Sequence, residues 1–262
     1  MRGVPAVTRA MWVFLCCMSL AHAAAPPPPR ATAAIGLATL AERIAKLHAQ
    51  VGQGVLAERS RRALAQSLRD FDAALRQAAA SASDAELRDD YALLALLWQD
   101  YRDWALRAPT RDNARKLRSR AEEVVWVATK AAKLVQESAR ATTNARAVRA
   151  ANAAMLAQRI AKAHLWMRWD IRDEALAREL AEARANLRRI LDTLRASAQE
   201  GAAIGAELQS VESQMSFMED AARALERREG AARAIEFIAK TGDNIYESMQ
   251  RLARLYEDAP GL

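Results

Sequence analysis

One nonapeptide occurs twice in this chain. Leu40 to His48 reads L-A-E-R-I-A-K-L-H, and Leu156 to His164, 116 residues further on, reads L-A-Q-R-I-A-K-A-H, identical at seven of nine positions. Downstream, L-R-D-F-D-A-A-L-R from Leu68 corresponds to L-R-R-I-L-D-T-L-R from Leu187. A long-period repeat marks a duplicated supersecondary unit whose apolar face is covered by its neighbour. The expectation is therefore two helical repeats, over 33–142 and 143–258, closing on each other as one cooperative bundle.

The stretches between punctuating residues are dominated by Ala, Leu, Arg and Glu, all strong helix formers, and no period-2 strand pattern survives. Breaks are expected at Pro109, at Gly201 with Gly205, at Gly230, and at Pro260 with Gly261. These predict six helices, over about 33–80, 84–107, 111–140, 144–199, 204–228 and 231–257, with Asp84 and Thr110 as N-caps. Leu208, Val211, Met215, Met218, Ala222 and Leu225 alternate by three and four, which is a coiled-coil-like seam. The predicted fold class is all-α, an elongated antiparallel helical bundle from two three-helix repeats.

Arg2 and Arg9, the apolar run Ala10 to Ala21 and the small-x-small sequence Ala21-His22-Ala23 read as a removed signal peptide over residues 1–23. A Pro-rich spacer follows over 24–32, and a short tail over 259–262 ends the sequence. Export to the periplasm is the expected localisation. Both cysteines, Cys16 and Cys17, fall inside the signal, so neither disulfides nor cysteine-ligated metals are expected afterwards. No later stretch approaches the roughly 18 consecutive apolar residues of a transmembrane helix. Without Arg2 and Arg9, 37 basic residues face 32 acidic ones along the whole chain. That mild, dispersed excess describes a solvated helix surface rather than a nucleic-acid stripe.

On a helical wheel Leu40, Ile44, Leu47 and Val51 form one apolar stripe, as do Leu156, Ile160, Ala163 and Met167 in the second copy. Arg43 and Arg159 then flank the stripe on one side and His48 and His164 on the other, while Lys46 and Lys162 point away toward solvent. If the two motif helices pair, Arg43 and Arg159 converge on a shared point, where two guanidiniums suit a small planar anion. The plainer reading is that each arginine pairs with a neighbouring carboxylate, Glu42 or an acid on another helix. The histidines lack the helical H-x-x-E or E-x-x-H partners of a metal site, so no metal is expected. Trp98, Tyr101, Trp104, Trp126, Trp166 and Trp169 read most simply as core and interface rings. No nucleophile motif, phosphate loop or dinucleotide fingerprint is present, and neither an enzyme nor a cofactor is expected.

The duplicated box resembles the one in the N-terminal domain of type IV pili methyl-accepting chemotaxis transducers (PilJ-type), itself similar to the nitrate-sensing domain of nitrate/nitrite histidine kinases. The second copy keeps Met155, Leu156, Gln158, Arg159, Ile160, Ala161 and Lys162; the first keeps Gly36, Leu40, Arg43, Ile44, Ala45 and Lys46. V-E-S-Q-M-S-F-M from Val211 and T-G-D-N-I-Y-E-S-M from Thr241 look like later helices of the same domain. The resemblance implies a periplasmic sensor module with a small ligand beside the box helices, and Gln158 joins Arg43, Arg159, His48 and His164 as a candidate ligand-binding residue. The arginine that the nitrate sensors use for the anion is Ala38 here and Ala154 in the second copy, which points away from nitrate itself. Family transducers continue into a membrane helix, whereas this sequence ends at Leu262, so a membrane receptor or envelope protein is the expected partner. The leading expectation is a small-ligand-binding or sensory module, its ligand a small anion or other small solute. The alternative is a structural or adaptor bundle of the envelope, related to type IV pili or chemotaxis, with no small ligand.

Overall fold

The computed structural model describes residues 30–82, 84–138, 144–196 and 201–258; the expected signal peptide, most of the Pro-rich spacer and the tail lie outside the described residues. Among the described residues the chain is all-α, with eight helices and no strand. They are α1 (Ala31–Gly52), α2 (Ala57–Ala80), α3 (Ala85–Leu106), α4 (Arg111–Ser138), α5 (Ala145–Arg168), α6 (Glu174–Ala196), α7 (Ala202–Glu226) and α8 (Ala231–Asp258). None is long and apolar enough to cross a membrane.

The bundle is built of two four-helix halves, where the sequence predicts two three-helix repeats. Each of the two longest predicted helices is cut once, at equivalent places. α1 ends with Gly54 in the left-handed region, its N–H donating to the Val51 carbonyl while Val55 N–H reaches back to Gln50 at 2.9 Å. α5 ends the same way 116 residues later: Asp170 is left-handed, its N–H donates to Met167, and Ile171 N–H reaches Trp166 at 2.9 Å. Both are Schellman caps, which consume the last carbonyls and turn the chain out of the helix. Glycine enters this conformation freely and aspartate at modest cost, so the second break carries no glycine to announce it.

The expected caps at Asp84 and Thr110 are present: Asp84 Oδ1 accepts from Leu87 N–H at 2.8 Å, and Thr110 Oγ1 from Asn113 N–H at 3.2 Å. Asn144 and Asp173 cap α5 and α6 in the same manner. Successive helices run antiparallel, as cross-links at their two ends record: Gln50 to Ser60, Asp72 to Trp98, Asp100 to Arg120, Arg188 to Glu219, and Glu207 to Arg251. α1 packs on α2, α4 and α5, and α5 on α1, α6 and α8. The α1/α5 contact joins the halves and is parallel and in register, with Arg159 against Glu42 at one level and Gln53 against Leu165 and Arg168 at another.

Because α1 and α5 are each surrounded by three helices, they are buried on nearly every face, and small residues dominate them. Ala38, Ala41, Ala45 and Ala49 on α1, with Ala150, Ala153, Ala154, Ala157 and Ala161 on α5, let the backbones approach closely. One continuous core runs through both halves. Of the predicted core rings, Trp98 stacks on Phe71 at 3.9 Å, Tyr101 donates to the Ala41 carbonyl at 2.7 Å, and Trp166 is fully buried. Trp126 departs from expectation: it lies on the outer side of α4, 66% exposed.

Two glycines of α1 make opposite demands. A Cβ on Gly52 would strike the Trp169 ring and sit 2.5 Å from the Pro109 carbonyl oxygen, whereas a Cβ on Gly36 would meet nothing within 4 Å. Gly52→Ala is therefore expected to lower stability by about 1–3 kcal/mol through overpacking. Gly36→Ala is expected to raise it by about 0.5–1 kcal/mol through helix propensity. Chemical denaturation of the two variants beside the parent chain checks the opposite signs.

Candidate functional site

The repeated box places four cations on two central helices, and the structure buries them. Lys46 is 0% and Lys162 1% exposed, against the expectation that both point to solvent. The wheel treats each helix as having one covered face; here α1 and α5 are each covered by three helices, with Asp243 of α8 reaching the Lys46 ammonium and α6 packed against α5 beside Lys162. Lys46 Nζ meets Asp243 Oδ1 at 2.5 Å, and Arg43 Nη1 meets the same oxygen at 2.7 Å. Lys162 Nζ lies 2.6 Å from Glu42 Oε2 and 2.9 Å from Glu179 Oε1, while Arg159 Nε lies 2.7 Å from Glu42 Oε1 and 3.5 Å from Glu179.

Arg43 and Arg159 thus do not converge on a shared point; each is taken up by its own carboxylate, as the plainer reading has it. Two of the three acids come from the opposite half: Asp243 on α8 serves the cations of α1, and Glu42 on α1 serves those of α5. The box differs between copies at this very position, Glu42 against Gln158. Gln158 is buried and donates to the Gly242 carbonyl at 3.0 Å and to Asp243 at 3.4 Å. A second glutamate there would put another anion beside Asp243; the neutral amide instead ties Asp243 to α5. Gly242 permits the approach, since a Cβ on it would lie 2.8 Å from that of Ala161.

Burial and the neighbouring charges act on Glu42, Asp243 and Lys46 in opposite directions. Burial alone would raise the Glu42 and Asp243 carboxyls, but Lys162 with Arg159, and Lys46 with Arg43, hold them below the ordinary carboxylate range. Burial lowers the Lys46 ammonium to about 8, Asp243 opposing the shift and Arg43 adding to it. Four cations face three carboxylates in this network.

His48 and His164 are also buried, and neither lies within the ion network. Among the described residues neither ring nitrogen of His48, and not Nε2 of His164, has a well-formed hydrogen bond. Burial pushes both imidazoles down to about 4, with Arg184 adding to the shift at His164, so both are neutral near pH 7. No cluster of three or more His, Cys, Asp or Glu suited to a metal occurs among the described residues.

An open volume of about 580 Å³ lies beside the N-terminal part of the α1/α5 pair, walled by α1, α2, α5 and α8. This is within the range of small-molecule sites, roughly 300–1,000 Å³. Its floor includes Gly36 and Thr39 on α1 and Ala151 and Ala154 on α5. The positions 116 residues away from the first three are larger: Asn152 for Gly36, Met155 for Thr39, and Ile35 for Ala151. At these three positions the copies have diverged, and the smaller residue of each pair is the one that lines the cavity. Comparing the repeat one and two turns upstream of the nonapeptide reveals that divergence; a search confined to the conserved box passes over it.

Two measurements test this electrostatic picture. Asp243→Ala strands Lys46 without an anion and is expected to cost about 3–5 kcal/mol, most of it recovered when Lys46→Met is added; a double-mutant cycle in denaturant reads the difference. An unfolded histidine takes up a proton near pH 6.5, whereas the folded imidazoles do so only near 4. The unfolded state therefore binds more protons in that window, and stability falls as pH drops from 6.5 toward 4, by up to about 3 kcal/mol per histidine. Replacing both by leucine should flatten the slope between pH 6.5 and 4.5.

No protein family model, curated protein or solved structure matches this chain, and the geometry above carries the functional reading.

Proposed function

We propose that this chain is an exported, periplasmic, non-catalytic helical module that binds a small solute in the α1–α2–α5–α8 cavity and signals occupancy to a membrane receptor or other envelope partner. The carrying observation is the divergence of the copies at the cavity: at three positions a small residue lines it while the duplicate position holds a larger one. Divergence toward smaller side chains along one wall is what a ligand site would ask of a duplicated core. The walls come from both halves, α1 and α2 from the first and α5 and α8 from the second, so a bound solute favours one placement of the halves over others. The signal-like residues 1–23 and the likeness of the box to sensor domains support the same reading. Arg43, Arg159, Gln158, His48 and His164 then serve the frame beside the ligand rather than the ligand itself.

The adaptor reading has its own support in exposed apolar residues on the outer helices, Leu96 and Trp126 on α3 and α4, and Phe217 and Phe237 on α7 and α8. It predicts partner contact without a small ligand.

Thermal melts across a panel of oxyanions and carboxylates separate the two. A ligand at 100 times its Kd stabilises the chain by about 2.7 kcal/mol. Gly36→Asn with Thr39→Met copies the second repeat into the first and fills the cavity; this variant should fold, melt at or above the parent temperature, and lose the ligand shift. An undiminished shift in the filled variant, or none in the parent with any compound, overturns the cavity reading.

A further inference from the structure

We infer that the cavity is built for a small amphipathic organic acid, whose apolar body lies on the alanine and glycine floor, whose carboxylate meets Arg254 at the mouth, and whose far end reaches the Tyr91 hydroxyl. This rests on the cavity being the ligand site.

Tyr91 comes from α3, outside the four helices that wall the volume, and is only 2% exposed. It lines the cavity, and its hydroxyl has no hydrogen-bond partner among the described residues. The hydroxyl opens onto the cavity and is free to donate to a polar atom of a bound molecule. Burial, with Asp90 adding, pushes its pKa up to about 12, so it stays a neutral hydroxyl able to donate.

The mouth has the opposite character. Arg254 on α8 lines it and makes no ion pair or hydrogen bond among the described residues. Arg30, at the start of α1, reaches Glu257 only at 3.5 Å and is 69% exposed along its side chain. Glu257, the one carboxylate there, is engaged by Arg30 and by the Thr32 hydroxyl. The first turn of α1 contributes the positive end of a helix dipole and contains no acidic residue. An anion at the mouth is therefore favoured, and the guanidinium fork suits a carboxylate. The rest of the lining mixes alanine methyls, among them Ala34, Ala78, Ala151 and Ala154, with the polar side chains of Gln77, Ser81 and Gln250, so a largely apolar body has a surface to lie on.

The test is calorimetric titration of the full chain with phenylacetate, 4-hydroxyphenylacetate and hexanoate, each beside its neutral primary amide. The expected result is that acids bind at least about tenfold more tightly than their amides, and 4-hydroxyphenylacetate more tightly than phenylacetate. Arg254→Gln should remove the preference for acids, and Tyr91→Phe the preference for the hydroxylated acid, while both variants keep the parent fold by circular dichroism. Amides binding as well as acids, or no probe binding, overturns the organic-acid inference and leaves the cavity as a site for another class. Acid binding that survives Gly36→Asn with Thr39→Met instead overturns the cavity reading itself.

Discussion

The pairing of buried cations with acids from the opposite half constrains the rest of this molecule. An ammonium withdrawn from water costs several kcal/mol unless an anion accompanies it, and here four cations are withdrawn at least in part. Asp243 and Glu42 supply most of the compensation, and both reach across the boundary between halves. A shift of α8 by one residue along α5 would carry Asp243 away from α1 and leave Lys46 dry and unpaired. Apolar packing of alanines tolerates many small sliding displacements; the ion pairs select one of them. Specific register is the best-attested use of buried polar groups, and this network has the form such a device requires.

The duplication explains why the halves meet as they do. Consecutive helices are antiparallel because short connections allow little else, but α1 and α5 are not consecutive and lie parallel and in register. Under strict symmetry, residue 158 would be a glutamate serving Arg43 and Lys46 as Glu42 serves Arg159 and Lys162. Position 158 is instead a neutral glutamine, and Asp243 on α8 takes the second anionic place. The same loosening of symmetry, one to two turns earlier, places small residues along the cavity where the duplicate positions hold larger ones.

Much of this was legible in the residues. The repeat announced the duplication, the absence of period-2 patterning announced an all-helical chain, and Asp84 and Thr110 marked two helix starts. The count of helices was less accessible, because Asp170 performs the turn that Gly54 performs in the first copy, and aspartate is also common inside helices. The burial of Lys46 and Lys162 was not accessible from one helix at a time: a lysine opposite an apolar stripe is a surface residue unless a third helix covers it. Trp126 failed the converse way, since its size suggested a core ring while its neighbours on α4 leave it outside. The arginine pairing was open in the sequence between a shared anion and separate acids, and Asp243, which decides it for Arg43, lies 200 residues away.

The up-down alternation, with α5 parallel to α1, has a topographic consequence. Helix starts at α1 and α5 and helix ends at α4 and α8 gather at one pole, where Thr32 touches Glu257 and Asn144 donates to the Tyr256 carbonyl. The open volume faces that pole, while the tight turns after α1, α3, α5 and α7 occupy the other. A tether attached through either terminus of the described bundle would hold the molecule aperture-first toward its anchor, leaving the four hairpin turns as the distal surface.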